Sequence, residues 1–346
     1  MITMKHAKPL LFLSSLLLLA SCGSGQGATT SSAGSTSISS IESSVEASSV
    51  SAEASSPTES SSQAASSVET PDFDLLKESY GDFHIVGASS DAVYTFDATS
   101  STYTINVSEN AKLEYTLSGF FQGKIVVANG NNLSSFKGIT FTLNNACLTN
   151  ADNQSAVIEY LPESKNIELK AKKDSHNLIL ATGSALAISS NNNIELVGSG
   201  VFDFASYGAD MHTIKADGDI SIYGSHTINI LYSAHDAFHG KHLSFVSETS
   251  VAYSGTVNVE QASSQAFDFE TNKGKGTISV EGGTFNISNC ASVFKTDVSL
   301  TISSGVTINA NNLSEEPVVK GENSSSLEYV NEGIFNVDGL PYTHEG

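Results

Sequence analysis

One register repeats down the second half of this chain. The pairs Ala156-Val157, Ala185-Leu186, His212-Thr213, Ala237-Phe238, Ala266-Phe267, Val293-Phe294 and Val318-Val319 return every 25 to 29 residues. Each opens a block that continues through a second alternating stretch, such as Ile194-Glu195-Leu196, Ile220-Ser221-Ile222 or Ile278-Ser279-Val280. A third follows, such as Val201-Phe202-Asp203-Phe204, Ile228-Asn229-Ile230 or Phe285-Asn286-Ile287. Apolar residues two apart put one row inside and the polar row outside, which is the strand period. Gly198, Gly200, Gly224, Gly255, Gly282, Gly283 and Gly305 fall where corners are needed, and positive φ costs glycine least. No 3.6-residue apolar pattern is sustained after residue 81. Stacked coils of three short strands make an all-β chain, a right-handed parallel β-helix. One coil cannot bury its own inner row, so such a fold is stable only as a stack. A sandwich of hairpins is the competing arrangement and needs Asn-Gly or Asp-Gly turns. Asn129-Gly130 and Asp217-Gly218 are the candidates, and the three-strand repeat runs straight through the second.

The N-terminus carries an address. Lys5 and Lys8 precede an apolar run from Leu10 to Leu19, followed by Ala20-Ser21-Cys22. The run is shorter than an ordinary membrane-spanning helix and has the charged and apolar regions of a secretory signal over residues 1–21. Leu19-Ala20-Ser21-Cys22 resembles a bacterial lipobox, which implies that Cys22 is lipidated and holds the protein on the extracellular face of the cell membrane. A plain signal peptide with an incidental cysteine is the alternative. Residues 22–70 combine that cysteine with a linker dominated by Ser, Ala, Thr and Glu. Such a segment cannot bury enough surface to offset chain entropy and is expected to be disordered, with a reach of roughly 40 Å. Residues 71–346 are then the β-helix domain, with 71–104 and 323–346 capping its ends against exposed backbone edges.

Charge narrows the partners. The 346-residue chain has a formal net charge of −21, and residues 71–346 hold 32 acidic residues against 14 lysines. Nucleic acid is a poor partner for such a surface, and the membrane is met through the lipid anchor only. Excess carboxylates in an exported protein suit Ca²⁺, a hard ion that takes oxygen ligands; plain solubility accounts for most of them. Cys147 and Cys290 lie about five coils apart, roughly 24 Å at the strand spacing, and read as buried thiols rather than a disulfide. The chain has no arginine and no tryptophan. The first absence removes one common base of β-helix lyases, and the second removes the usual flat platform for cellulose. Tyr115, Tyr160, Tyr207, Tyr223, Tyr232 and Tyr253 are the rings left to stack on sugars.

Several stretches, in order, carry a resemblance: Tyr115-Thr116-Leu117-Ser118-Gly119, Gly123-Lys124-Ile125-Val126-Val127, Ile139-Thr140-Phe141-Thr142-Leu143-Asn144-Asn145, Ala234 to Lys241, and Gly276 to Ile287. Over roughly residues 105–310 the chain resembles the bacterial, largely clostridial, β-helix carbohydrate-binding lipoproteins. That resemblance implies a pectate-lyase-like fold, binding of cellulose or acid sugars such as polygalacturonate, bound calcium, and a binder rather than an enzyme. Where that family tends to read Asn-Asp-Gly-Ile-Arg-Gly-Lys, this chain has His235-Asp236-Ala237-Phe238-His239-Gly240-Lys241. Asp236, Gly240 and Lys241 carry over. His239 stands in place of the arginine, so any carboxylate binding there becomes weaker and pH-dependent.

Aligned on the repeat, the third position of each block reads Ile158, Ala187, Ile214, His239, Asp268, Lys295, Lys320; the fifth reads Tyr160, Ser189, Ala216, Lys241, Glu270, Asp297, Glu322. Consecutive coils would stack these about 4.8 Å apart. His239, Lys241, Lys295 and Lys320 are then candidate carbohydrate-binding residues, with Lys295 and Lys320 facing successive uronate carboxylates. Asp236, Asp268, Glu270 and Asp297 are candidate calcium ligands, and Asp210, Asp217 and Asp219 form a second acidic turn. The same columns also read as a solvated face of alternating sign. His212, His226, His235, His239 and His242 share no zinc spacing and read as surface polarity or pH sensing. Asp268, Glu270 and Asp297 can meet a glycosidase's carboxylate separations, yet the paired-Asp and Gly-His-Gly motifs of β-helix polygalacturonases are absent. The reading is a calcium-assisted polysaccharide binder. A structural or adhesive module for host glycan or protein competes with it, and a lyase or hydrolase comes third.

Overall fold

Hydrogen bonding follows the repeat. The computed structural model describes residues 72–88, 93–107, 113–129, 136–150, 155–246 and 251–344. The signal, Cys22 and the linker to residue 70 lie outside the described residues. Over the described residues the chain is a parallel β-helix of about eight turns with three strands per coil. One face is a ten-stranded sheet that includes Ala156–Tyr160, Ile214–Ala216, Phe238–His239, Phe267–Phe269, Phe294–Thr296 and Val318–Lys320. The other two faces join into one eighteen-stranded sheet, because the long strands Leu113–Gln122 and Ile139–Thr149 run across the corner between them. Ile139–Thr149 pairs with Ile167–Ala171 through its first half and His176–Ala181 through its second.

Register turns the alternating pattern into inner rows. Ile139, Ile167, Ile194, Ile220, Leu243, Ile278 and Leu300 lie opposite one another in successive coils, all buried. Phe238, Phe267 and Phe294 form a second row, with rings stacked 5.1 and 5.4 Å apart. Phe245 and Phe285 meet the Phe267 edge at 6.0 and 6.3 Å. These phenylalanines anchor the strands whose next residues, His239, Asp268 and Lys295, point outward.

On the third face the outward row is an amide ladder. Asn229 donates to Asp203 at 2.6 Å, Asn258 to Asn229 at 2.7 Å, Asn286 to Asn258 at 2.9 Å, and Asn309 to Asn286 at 3.2 Å. Asn336 continues it at 3.2 Å, and the His176 ring closes the other end on Asp203 at 2.5 Å. Each amide is both donor and acceptor, so the row satisfies itself.

Glycine serves the corners in two ways. Gly224 has the positive φ the turn reading anticipates, 107°. Gly255 does not; it is needed because a Cβ there would lie 1.9 Å from the His226 carbonyl oxygen of the coil below. Both ends are capped. At one, the short helix Phe73–Tyr80 starts on Asp72, whose side chain accepts from the Asp74 and Leu75 amides, and His84–Gly87 pairs antiparallel with Leu113–Gln122. At the other, Ile334–Val337 folds back antiparallel on Leu340–Pro341.

Three tyrosines counted as possible sugar platforms are core residues instead: Tyr115, Tyr160 and Tyr253 are at most 1 % exposed. Their hydroxyls bond to backbone carbonyls, as Tyr253 does to His226 at 2.6 Å. Inner-row positions accept a ring wherever its polar tip finds such a partner. Cys147 and Cys290 are free and buried, and burial pushes both thiols up to about 12.

His226 overturns its reading as surface polarity. It is fully buried between Phe202 and Tyr253, and among the described residues neither ring nitrogen makes a hydrogen bond of ordinary geometry. Burial pushes its pKa down to about 4 from 6.5. The unfolded chain therefore takes up a proton near pH 6.5 that the folded chain refuses until about pH 4. Its contribution to stability is complete above pH 6.5 and is lost as pH falls through that window, by about 3 kcal/mol in all. Denaturant unfolding of wild type and His226→Phe across pH 4 to 7 should show that slope in their difference, with the variant gaining relative stability at the acid end. Parallel pH profiles would refute it. In the same assay Phe267→Ala, which opens a cavity among four aromatic rings, should cost about 3–5 kcal/mol.

Candidate functional site

The outward row of the ten-stranded sheet concentrates charge over its later coils. Backbone pairing places Lys215 opposite His239, His239 opposite Asp268, and Asp268 opposite Lys295. Here the structure corrects the expected columns by one residue at four of six steps: Ile188, rather than Ala187, lies opposite both Ile158 and Ile214, and two later steps differ as well. Ile214 pairs with Phe238 rather than His239, so Lys215 joins the row. Lys295 faces Val319, and Lys320 faces Thr296, so Lys295 and Lys320 do not stack. A one-residue slip exchanges the inner and outer rows, and the Phe238 row takes the apolar Ile214 inward. Lys320 instead donates to the Ser324 carbonyl.

The acidic residues of this region divide by what already holds them. Glu270 receives Lys295 Nζ at 2.8 Å and the Glu322 amide at 3.0 Å. Asp297 is fully buried, and its Oδ2 accepts from the Thr271 amide at 2.7 Å, the Gly276 amide at 2.8 Å and the Thr271 hydroxyl at 3.1 Å. It pins the loop between the Phe267–Phe269 strand and the next face. Asp268 accepts from the Glu270 amide at 3.1 Å; burial, then the charge of Asp236, push its carboxyl up to about 6. Calcium takes six to eight oxygens. Asp297 Oδ1 is buried without a hydrogen-bond partner, and among the described residues Asp268, but neither Glu270 nor Asp297, joins a group of ligand atoms within 4.8 Å. Asp210 and Asp217 are exposed, and Asp219 is half-buried. None of the three joins a group of ligand atoms within 4.8 Å among the described residues.

Two overlapping groups do reach that spacing there, and both contain Asp236: His212 with His235, and His239 with Asp268. The Asp236 carboxylate is completely buried. Its Oδ2 lies 3.0 Å from His212 Nδ1, 2.9 Å from His235 Nδ1 and 3.7 Å from His239 Nδ1, and its Oδ1 accepts from the Gln265 amide at 3.0 Å. The His212 and His239 rings stack at 4.3 Å, and His235 meets the His212 edge-on at 4.7 Å. Burial alone would raise the Asp236 carboxyl, but His212, His239 and the Gln265 amide outweigh it and hold the group well below the usual carboxylate range. Burial pushes His212 down. His212 Nδ1 and His239 Nδ1 are buried and make no hydrogen bond of ordinary geometry. His242, by contrast, sits on another face and pairs with the Thr277 hydroxyl at 2.8 Å.

Sequence spacing missed this convergence, because the three histidines come from two coils and a corner. A second feature also went unread. A polar cleft of about 460 Å³ opens where the second-face strands begin, lined by Lys137, Lys165, Asn166, Glu168, Asn193 and Glu195. Glu168 and Glu195 are register partners, and Glu195 accepts from Asn166 at 2.5 Å and the Tyr223 hydroxyl at 2.7 Å. The repeated Ile-Glu-Leu of residues 167–169 and 194–196 was the available signal. Tyr207 and Tyr232, both half-buried, stack at 5.3 Å and 10° beside the corner that leads to His212 and His235.

A family model described as a carbohydrate-binding domain-containing protein matches residues 99–339, a span that takes in the row, the cleft and the imidazole cluster. No curated protein and no solved structure matches the chain.

Asp297 offers a direct test of how the site is held. Asp297→Ala leaves three donors without an acceptor in a buried corner and should lower stability by about 3–5 kcal/mol in denaturant unfolding. A loss under 1 kcal/mol would show that the loop stands without it.

Proposed function

The chain belongs to the carbohydrate-binding domain-containing protein family, and on that premise we propose that it binds acidic polysaccharide, such as polygalacturonate, along the outward row of the ten-stranded sheet. In this reading the solenoid is displayed outside the cell membrane on the Cys22 anchor and the 22–70 linker. One observation carries the choice of an acid sugar: Lys215 and Lys241 flank His239 and have no ion-pair partner among the described residues. In a chain of net charge −21, two uncompensated ammonium groups beside an imidazole form a local counter-field that a uronate carboxylate can use. Tyr207, Tyr232 and the polar cleft supply ring contacts and hydroxyl partners on neighbouring surfaces.

Calorimetric titration of the full chain, purified in detergent, against polygalacturonate tests the reading. Heat is expected in the presence of chelator, falling as salt rises. Lys215→Ala and Lys241→Ala should each weaken binding by about 1 kcal/mol, roughly fivefold in Kd. Heat that appears only with added Ca²⁺ would replace direct lysine contact with a bridging calcium. No heat in either condition would sink the acid-sugar reading.

A further inference from the structure

We propose that His212, His235, His239 and Asp236 form a binding site for one transition-metal ion of the Zn²⁺ class, separate in chemistry from any calcium site. Three imidazole nitrogens gather on one oxygen of one buried carboxylate, at 3.0, 2.9 and 3.7 Å. Four ligands around Zn²⁺ at bonds near 2.05 Å stand about 3.3 Å from one another, so the three separations measured from Asp236 Oδ2 are close to tetrahedral edges. His212, His235 and Asp236 already bring one ligand atom each within 4.8 Å of the others; His239 shares Asp236 through a second, overlapping group and turns its ring to complete the set.

Hydrogen bonding alone does not account for the cluster. A carboxylate oxygen gains little from a third donor, and His212 Nδ1 and His239 Nδ1 lie buried beside it without an ordinary hydrogen bond. Two such nitrogens are each costly to leave unsatisfied, and a cation beside the carboxylate gives them a partner. The donor set also selects the ion. Three nitrogens and one carboxylate suit Zn²⁺, Co²⁺ or Ni²⁺, whereas Ca²⁺ requires an oxygen cage. Asp236 is locked by the Gln265 amide on its other oxygen, which orients the carboxylate toward the imidazoles. His235, with 39 % of its side chain exposed, leaves a path by which an ion enters.

The site is tested with metals alone, so it stands or falls apart from glycan binding. The full chain in detergent, stripped with chelator and checked for residual metal, is titrated with Co²⁺. Equimolar binding is expected, with the strong visible bands of four-coordinate Co²⁺. Zn²⁺ should abolish the bands and a large excess of Ca²⁺ should leave them. Zn²⁺ should also raise the unfolding temperature, because it binds the folded chain only. His235→Gln removes a ligand at the exposed side of the site, where folding is least at risk; it should weaken Co²⁺ at least tenfold and lose the bands. His176→Gln, on another face, should change neither. Failure of the wild-type chain to bind Co²⁺ or Zn²⁺ would overturn the assignment, as would a His235→Gln chain that binds as tightly as wild type.

Discussion

Parallel, in-register pairing between coils is the constraint on which the rest of the molecule depends. It carries whatever stands at one position of a coil to a place about 4.8 Å from its equivalent in the next. Inward, that rule asks for continuous apolar rows, and the Ile139-to-Leu300 and Phe238–Phe267–Phe294 rows answer it. Outward, it makes chemistry cumulative. Asn on the third face becomes a self-satisfied amide ladder, and charge on the first becomes the Lys215–His239–Asp268–Lys295 row. The two outward rows use one rule to opposite ends. The ladder spends its donors and acceptors internally, while the charged face leaves Lys215 and Lys241 without an ion-pair partner among the described residues.

How far such rows can be read from sequence depends on what sets the register. Alternation identified the coil and its three strands because burial enforces a period of two. It aligned Phe238, Phe267 and Phe294 correctly, since large rings must stack on one another. It slipped by one residue on either side of Ala187, between Ile214 and His239, and between Lys295 and Lys320, where blocks were matched by their opening pair. Coil length varies at the corners, so opening pairs drift against the backbone hydrogen bonds. Weighting the inward residue of each strand would have recovered Lys215, for Ile214-Lys215-Ala216 buries its first and third members. Tyrosine misled for a related reason. A phenol at an inner position looks like a platform in sequence, yet a nearby carbonyl, as for Tyr160 with Ser164, makes it a core ring.

Corners were the least legible part. Residues there obey neither period, and their partners are fixed by loop paths that sequence spacing does not report. Asp297 illustrates this: in sequence it is one more acid in a charged column, in space it is the buried acceptor that shapes the Thr271–Gly276 turn. Asp236 is the parallel case one face-edge earlier, its Oδ1 held by a main-chain amide and its Oδ2 turned toward three rings.

The histidines supply their own internal comparison. His226 shows what this fold does with an imidazole that packs as a hydrophobe: it is enclosed by Phe202 and Tyr253, has no ion-pair partner among the described residues, and burial pushes its pKa down. His176 shows an imidazole used as a hydrogen-bonding terminus, one ring to one carboxylate at 2.5 Å. The Asp236 cluster follows neither pattern. Its rings are too polar in their surroundings to be filler and too many for one oxygen to satisfy. Surplus lone pairs around a fixed anion are what the proposed cation would use, so His235 and His239 bear on the chemistry of that corner and not only on its charge.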